Sequence, residues 1–273
     1  MKLRSHEAVA GGARGRAYWS AMLLIRDRHP ADPVFEMAVT EALVRAVAAG
    51  TVPEAARVFR PGPTMAFGRR DALLPGFQAA ARAARAAGYA PVVRLGGGHA
   101  AGYDEGSLVV ELITTQERIG IGIQERFAAA AAVLEDALRA VGIEPVTGEL
   151  PGEYCPGRWS LHAAGTGVKL AGLAQRSIRG AALTTAFMAV QGGERLRTAL
   201  TAVYRELAIP WDPATAGAAE DVRPGVRVQD VETAIVDALR RRRPLTEGEV
   251  DDEVRARAQA LEGARHRAGA VRT

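Results

Sequence analysis

The chain has 273 residues, 48% of them hydrophobic and 24% charged; these proportions suit a globular protein and exclude a disordered, fibrous or collagen-like one. Its 35 Lys and Arg against 31 Asp and Glu leave a formal charge of +4, a mild excess that does not by itself indicate nucleic acid. With one cysteine, Cys155, an intramolecular disulfide and a multi-cysteine zinc site are both excluded.

A strand is expected at Tyr18 to Ile25, after a Gly- and Arg-rich start. Asp32 and Pro33 then signal a helix start. Phe35, Ala38, Val39, Ala42, Leu43, Ala46 and Val47 follow at helical spacing, and Gly50 stops the pattern. Ala56 to Phe59 and Thr64 to Phe67 read as short strands on either side of Pro61-Gly62-Pro63. Phe77 to Ala87 is an Ala-rich helix ending at Gly88, and Tyr89 to Leu95 is a strand running into Gly96-Gly97-Gly98. Ser107 to Ile113 is rich in β-branched residues and reads as another strand. Gln124 to Val141 is a helix stopped by Gly142. Arg158 to His162 and Val168 to Gln175 form two strands of a hairpin around Gly165-Thr166-Gly167, and Ala181 to Val190 continues as a strand. Glu194 to Leu207 is helical, with Leu196, Leu200, Val203, Tyr204 and Leu207 on one face. Ala208 to Pro224, rich in Pro, Gly and Ala, is a linker candidate. Helices are expected at about Val231 to Arg242 and Glu247 to Arg265, the second with a capping box of Thr246 and Glu249.

The order is mixed α/β (α+β-like), with strands gathered mainly as hairpins and helices interleaved. It does not alternate strictly, and the triglycine lacks the G-x-G-x-x-G spacing and a following helix, so a doubly wound nucleotide fold is not expected. The basic run Arg240 to Arg243 closes a helical pattern, where cations suit the helix dipole, and no aromatic residues interleave with it. Nucleic acid is therefore not an expected partner. The histidines show no close metal-ligand spacing, so no metal is expected. No apolar run approaches the ~20 residues of a membrane span, and Ala21 to Ile25 is too short for a signal-peptide core. A cytoplasmic location is the expectation.

Three clusters stand out. Arg94-Leu95-Gly96-Gly97-Gly98-His99-Ala100 is followed by Asp104-Glu105-Gly106. Glycines after a strand let a backbone approach a ligand and aim amides at an oxygen, with Arg94 as a fixed positive fork, although a tight turn between two strands explains them equally well. In Tyr154-Cys155-Pro156-Gly157, a lone cysteine is most often a small buried hydrophobe, yet a Pro-Gly turn is a place to present a thiol. In Lys169-Leu170-Ala171-Gly172-Leu173-Ala174-Gln175-Arg176, strict alternation puts Lys169, Ala171, Leu173 and Gln175 on one face. Lys169 is then either an exposed strand lysine or a cation facing a pocket, where it would favour the thiolate, which is the nucleophile.

These residues in this order, Arg94-x-x-Gly97-Gly98 with Asp104-Glu105-Gly106, Glu153 to Gly157, and Lys169-x-Ala171-Gly172-x-Ala174-Gln175-Arg176, resemble the lipoate/biotin protein ligase and octanoyltransferase superfamily. Within it the chain most resembles the amidotransferase-type octanoyltransferases, which move an octanoyl group from the glycine cleavage H protein to other lipoyl-dependent proteins. Leu95 and Gly96 depart from the family's Asn and Ser, and His99 from its usual apolar residue or glycine. The resemblance spans roughly residues 18 to 210. It implies the biotin/lipoate ligase catalytic fold, with a mixed, largely antiparallel central sheet and flanking helices. Residues 1–210 would form the catalytic domain, and 211–273 a C-terminal helical extension packed on it.

It also implies a cysteine-dependent acyltransferase. Cys155 would carry the octanoyl or lipoyl group as a thioester, Lys169 would hold the thiol ionised, and a lysine of a lipoyl domain would receive the acyl group. Arg94, Gly96, Gly97, Gly98, His99, Ala100, Asp104, Gly172, Ala174 and Gln175 would bind substrate. Amides near Gly97 and Gly98, or beside Cys155, would hold the oxyanion. Leu170, Leu173, Val92 and Ala182 would line an apolar slot. Burying seven methylene or methyl groups there gives about 5–6 kcal/mol before ordering costs. The expected partners are lipoyl-domain proteins and the H protein, with acyl carrier protein as the alternative donor. No cofactor is expected, ATP and Mg entering only under the alternative of an ATP-dependent lipoate–protein ligase. A non-catalytic acyl-binding homologue is a further alternative.

Overall fold

The computed structural model describes residues 21–265. The start of the strand expected from Tyr18 lies outside them, and its remainder is β1 (Met22–Ile25). Next comes α1 (Pro33–Ala49). The Asp32 carboxylate accepts from the Phe35 amide at 3.0 Å, and Gly50 ends the helix in the left-handed region at φ 74°. The chain continues through β2 (Ala55–Phe59), β3 (Thr64–Phe67), α2 (Phe77–Ala86), β4 (Ala90–Val93), β5 (Ala101–Tyr103) and β6 (Ser107–Gln116). There follow α3 (Ile123–Ala140), β7 (Pro145–Thr147), β8 (Leu161–Ala163), β9 (Lys169–Ile178) and β10 (Gly180–Ala189). The last elements are α4 (Gly193–Leu207), α5 (Ala219–Val222), α6 (Val228–Arg242), β11 (Leu245–Gly248) and α7 (Asp252–Arg265).

Eight strands form one sheet in the order β11-β1-β2-β6-β10-β9-β8-β7, and β4-β3-β5 form a second, smaller one. β1 runs parallel to both β2 and β11, and the five pairs from β2–β6 to β7–β8 are antiparallel. The large sheet is thus mixed and largely antiparallel. Its alternation decides which layer each residue joins. Leu108 and Val110 of β6, with Ala186 and Met188 of β10, pack under Leu134 and Leu138 of α3 and Ile235 and Leu239 of α6. The opposite face has two covers. Ile113 and Leu183 meet α1 and α7, whereas Val109 and Phe187 meet the small sheet with α2 and α4. Arg57, fully buried on β2, is ion-paired with Glu36 of α1, donates to the Asp27 carbonyl at 2.8 Å and lies over the Phe59 ring.

Two expectations need correction, and two features of the fold carry no sequence signal. The linker candidate at 208–224 is packed: Ala216, Ala218 and Ala219 are fully buried, and Trp211 lies against Tyr154 and Tyr204. Its small residues fit because backbone and helix approach closely there, so composition alone misreads them. The capping box of Thr246 and Glu249 does not exist, because Leu245–Gly248 is an edge strand and the last helix begins at Asp252. β5 and β7, three residues each, carry too short a pattern to be recognised. Finally, β2 and β3 flank one turn but enter different sheets. Among the described residues no helix is long and apolar enough to cross a membrane.

Candidate active site

Cys155 sits in the loop between β7 and β8, partly exposed, with φ 45°. A non-glycine residue in that region is uncommon, and the following Pro156 disfavours helical conformations for it further. Strain of this kind, about 1–3 kcal/mol, persists only where the surroundings over-determine it. Here they do. The Cys155 amide donates to Tyr204 Oη at 2.8 Å, and that hydroxyl donates onward to the Ala100 carbonyl at 2.9 Å. Behind the cysteine, Tyr154 is buried edge-on against Trp211. Buried Glu153 clasps the loop, its Oε1 accepting from the Gly157 amide at 3.0 Å and Ser160 Oγ at 2.8 Å.

Lys169 holds the same loop from below. Its ammonium donates to the Tyr154 carbonyl at 2.8 Å and the Cys155 carbonyl at 2.9 Å, and lies 3.1 Å from Glu153 Oε2. Two of the ammonium's three donors go to these carbonyls, and the Glu153 carboxylate balances its charge. It is 1% exposed. Burial lowers its pKa, against the opposing pull of Cys155 and Glu153. Lys169 reaches this position through a register change. Leu161 pairs with Ala171 but His162 with Lys169, so β9 has one extra residue there. Strict alternation would have put Lys169 with Ala171 and Leu173. The bulge turns it to the side of Gly172 and Ala174, while Ala171 packs beneath α3 and α6.

The cation that touches the sulfur is Arg94. Its Nη2 donates to Cys155 Sγ at 3.3 Å and to the His99 carbonyl at 2.8 Å. Burial works against the Arg94 charge, but its interactions with Cys155, Tyr103 and Tyr204 outweigh it, and its pKa is raised. Gly98 completes the contact. It has φ 92°, and a Cβ there would lie 2.6 Å from Sγ and 2.9 Å from Arg94 Nη2. A Cβ on Gly96 would lie 2.9 Å from that of Ala174, while Gly97 faces open space. Among the described residues, no hydrogen bond engages the amides of Gly97 or Gly98.

In front of the sulfur opens a cavity of about 530 Å³, within the usual range of small-molecule sites. Its floor is one face of the large sheet: Val109 and Glu111 of β6, Leu183, Thr185 and Phe187 of β10, Gly172 and Ala174 of β9. Met37 and Thr40 of α1, Tyr103 of β5 and Phe127 of α3 form its walls.

Of the residues expected to bind substrate, Arg94, Gly96, Gly97, Gly98, Gly172, Ala174 and Gln175 line this cavity, together with Cys155 and Lys169. Gln175 also ties β9 to α3, donating to the Ile123 carbonyl at 2.8 Å. His99, Ala100 and Asp104 lie outside the wall. The His99 ring pairs with buried Asp71 at 2.7 Å, and Ala100 is fully buried with its carbonyl on Tyr204. Asp104 accepts from Tyr89 Oη, the Gly106 amide and Arg195, so it braces the turn into β6. Among the four expected slot residues only Leu173 lines the cavity. Val92 and Leu170 belong to the two neighbouring cores, and Ala182 is one residue out of phase with Leu183 on β10. Glu111, Thr40 and Tyr103 were not anticipated. An acidic residue inside the β-branched run of β6 was the available signal for Glu111.

Residues 32–240 match the family described as the lipoyl protein ligase A/B catalytic domain. The chain is 32% identical over 185 residues to an octanoyl-[GcvH]:protein N-octanoyltransferase of Geobacillus kaustophilus, a match covering 66% of this chain and 65% of that one. It is 29% identical over 205 residues to the protein of the same name from Bacillus velezensis, covering 73% and 71%. A lipoyl-[GcvH]:protein N-lipoyltransferase of Listeria monocytogenes is 26% identical over 169 residues, covering 62% and 60%. The match thus spans just under two thirds of the Geobacillus relative's length. Among solved structures, a lipoate-protein ligase A bound with ATP superposes with a TM-score of 0.71 at 18% identity, covering 89% of this chain and 94% of that one. The lipoate protein ligase of a bipartite archaeal system from Thermoplasma acidophilum gives 0.70 at 17%, covering 90% and 93%. The mixed sheet with its flanking helices is the lipoate-ligase fold, and the chain belongs to the lipoyl protein ligase A/B catalytic domain family.

Proposed function

We propose that the protein is a cysteine-dependent acyltransferase that moves an octanoyl or lipoyl group from a carrier such as the glycine cleavage H protein to a lysine of a lipoyl domain. One observation carries this reading. The chain's only thiol stands at the mouth of an apolar cavity, hydrogen-bonded to a half-buried guanidinium. A positive partner of this kind stabilises a thiolate. The names of the relatives add support for the substrate class.

In the first step the Cys155 sulfur attacks the acyl carbonyl on the carrier's lysine. A carbon–sulfur bond forms, the carbon–nitrogen bond breaks, and the freed amine takes up a proton. In the second, the amine of an acceptor lysine attacks the thioester, gives up a proton, forms the new amide and returns the thiolate. Splitting the exchange in two avoids one difficult amide-to-amide displacement. Arg94 balances the charge of the thiolate before the first step and after the second. The Cys155 amide is already committed to Tyr204, so the amides of Gly97 and Gly98 are the donors for the tetrahedral oxyanion. Lys169 acts as a positioning group that grips both carbonyls flanking the nucleophile. Its burial raises its readiness to shed a proton.

Intact mass after incubation with octanoylated H protein, without ATP or Mg, tests the reading. An octanoyl adduct is expected on the wild type and none on Cys155→Ala, which should fold normally. No adduct from this donor, but one from octanoyl-acyl carrier protein, would change the donor assignment. An adduct surviving in Cys155→Ala would overturn the mechanism.

A further inference from the structure

Glu111 is 2% exposed on the cavity floor. Its Oε1 accepts from Thr40 Oγ1 at 2.8 Å. Its Oε2 accepts no hydrogen bond among the described residues, the nearest cation being Arg57 Nη1 at 3.7 Å, itself without a hydrogen-bond acceptor. A buried carboxyl with a bare oxygen carries an uncompensated desolvation cost, and here that oxygen belongs to a side chain lining a ligand cavity.

Its place relative to the reactive end is set by strand register. Glu111 lies opposite Thr185 of β10, and Thr185 opposite Ala174 of β9; Ala174 lies under Gly96 of the triglycine, whose Gly98 in turn meets the Cys155 sulfur. Two strand spacings, about 10 Å, therefore separate Glu111 from the β9 position beneath the triglycine, comparable to an extended eight-carbon chain. An acyl group tethered at Cys155 and laid across β10 brings its far end to Glu111 and Thr40. A methyl end leaves Oε2 bare, whereas a hydrogen-bond donor there satisfies it.

We infer that Glu111 with Thr40 forms a polar end wall selecting medium-chain acyl groups that carry a hydrogen-bond donor at the distal end, such as a hydroxyl or a reduced thiol, over the plain saturated chain. This rests on the acyltransferase reading, since it places the acyl carbonyl at Cys155.

Calorimetric titration of the whole protein with octanoate and 8-hydroxyoctanoate tests it. The hydroxylated acid should bind about tenfold tighter, the yield of one hydrogen bond to a buried group that otherwise lacks a partner. In Glu111→Leu the order should invert. Should that variant fail to fold, Thr40→Val removes the bond that orients the carboxyl, and the preference should fall. Equal or weaker binding of 8-hydroxyoctanoate by the wild type, or a preference unchanged in these variants, would overturn the inference while leaving the transferase reading intact. If neither acid binds, the inference falls, while the adduct on Cys155 decides the transferase reading on its own.

Discussion

Replacing Gly98 by alanine puts a methyl carbon 2.6 Å from Cys155 Sγ, where ordinary contact begins at 3.4 Å. The sulfur must retreat by nearly the difference, about 1 Å, because the other obstructing atom, Arg94 Nη2 at 2.9 Å, is held by the His99 carbonyl. Misplacing a reacting atom by about 1 Å costs on the order of 100-fold in rate. The backbone adds its own penalty, since an alanine at φ 92° is strained by about 1–3 kcal/mol. At roughly 2–4 °C per kcal/mol for a chain of this size, Tm should fall by about 2–12 °C. Gly97→Ala is the internal control: its Cβ meets nothing within 4 Å and its φ is not left-handed, so its stability should stay within about 0.5 kcal/mol of wild type. The assay is the time course of the octanoyl adduct on Cys155 by intact mass, with Tm read in parallel. A Gly98→Ala protein that acylates at the wild-type rate, or a Gly97→Ala protein equally impaired, would refute the geometry.

Two further outcomes are expected. Tyr204→Phe removes the acceptor of the Cys155 amide and the donor to Ala100. It should cost about 1–3 kcal/mol, read as a lower urea midpoint with an unchanged m-value, and slow Cys155 acylation; an unaltered midpoint would show that the loop does not depend on this tyrosine. Glu54→Gln tests pH linkage. Burial raises the Glu54 pKa, but hydrogen bonds from Thr115 and Arg243 outweigh it and hold it below the ordinary 4.5. The carboxylate therefore contributes stability above that value and loses it as pH falls through the lowered one. The Tm gap between wild type and Glu54→Gln should be full near neutrality and close as pH falls below the ordinary carboxylate value; a gap independent of pH would contradict it.

Much of the framework can be read directly. Asp32 and Gly50 bracket α1 because a cap and a left-handed stop are local chemistry. The β8–β9 hairpin around Gly165-Thr166-Gly167 and the lengths of α3 and α4 follow from turn residues and periodicity. What escaped is set by distant contacts. Leu245–Gly248 becomes a strand only because β1 offers an edge, and its polar Thr and Glu carry no strand signal. The face on which Lys169 lies depends on one bulge opposite His162, which shifts the alternation without leaving a mark in composition. The three chemical clusters do meet at one cavity, but their partnership differs from the expected one. Arg94 touches the sulfur and Lys169 grips the carbonyls, because side-chain reach across the loop, not order along the chain, decides the pairing.

The position of β1 has a consequence for synthesis. It pairs on one side with β2, some thirty residues onward, and on the other with β11, more than two hundred residues onward. A chain growing from its N-terminus can build β2, β6, β10 and β9 into a sheet long before Leu245–Gly248 exists. Until then β1 presents a bare row of peptide groups, and Val39 and Val47 of α1 lack the cover of Val250, Val254 and Ala258. That nascent edge is where a half-made chain is most prone to pair with a neighbour on the same messenger, and arrival of the final helix ends the vulnerable interval.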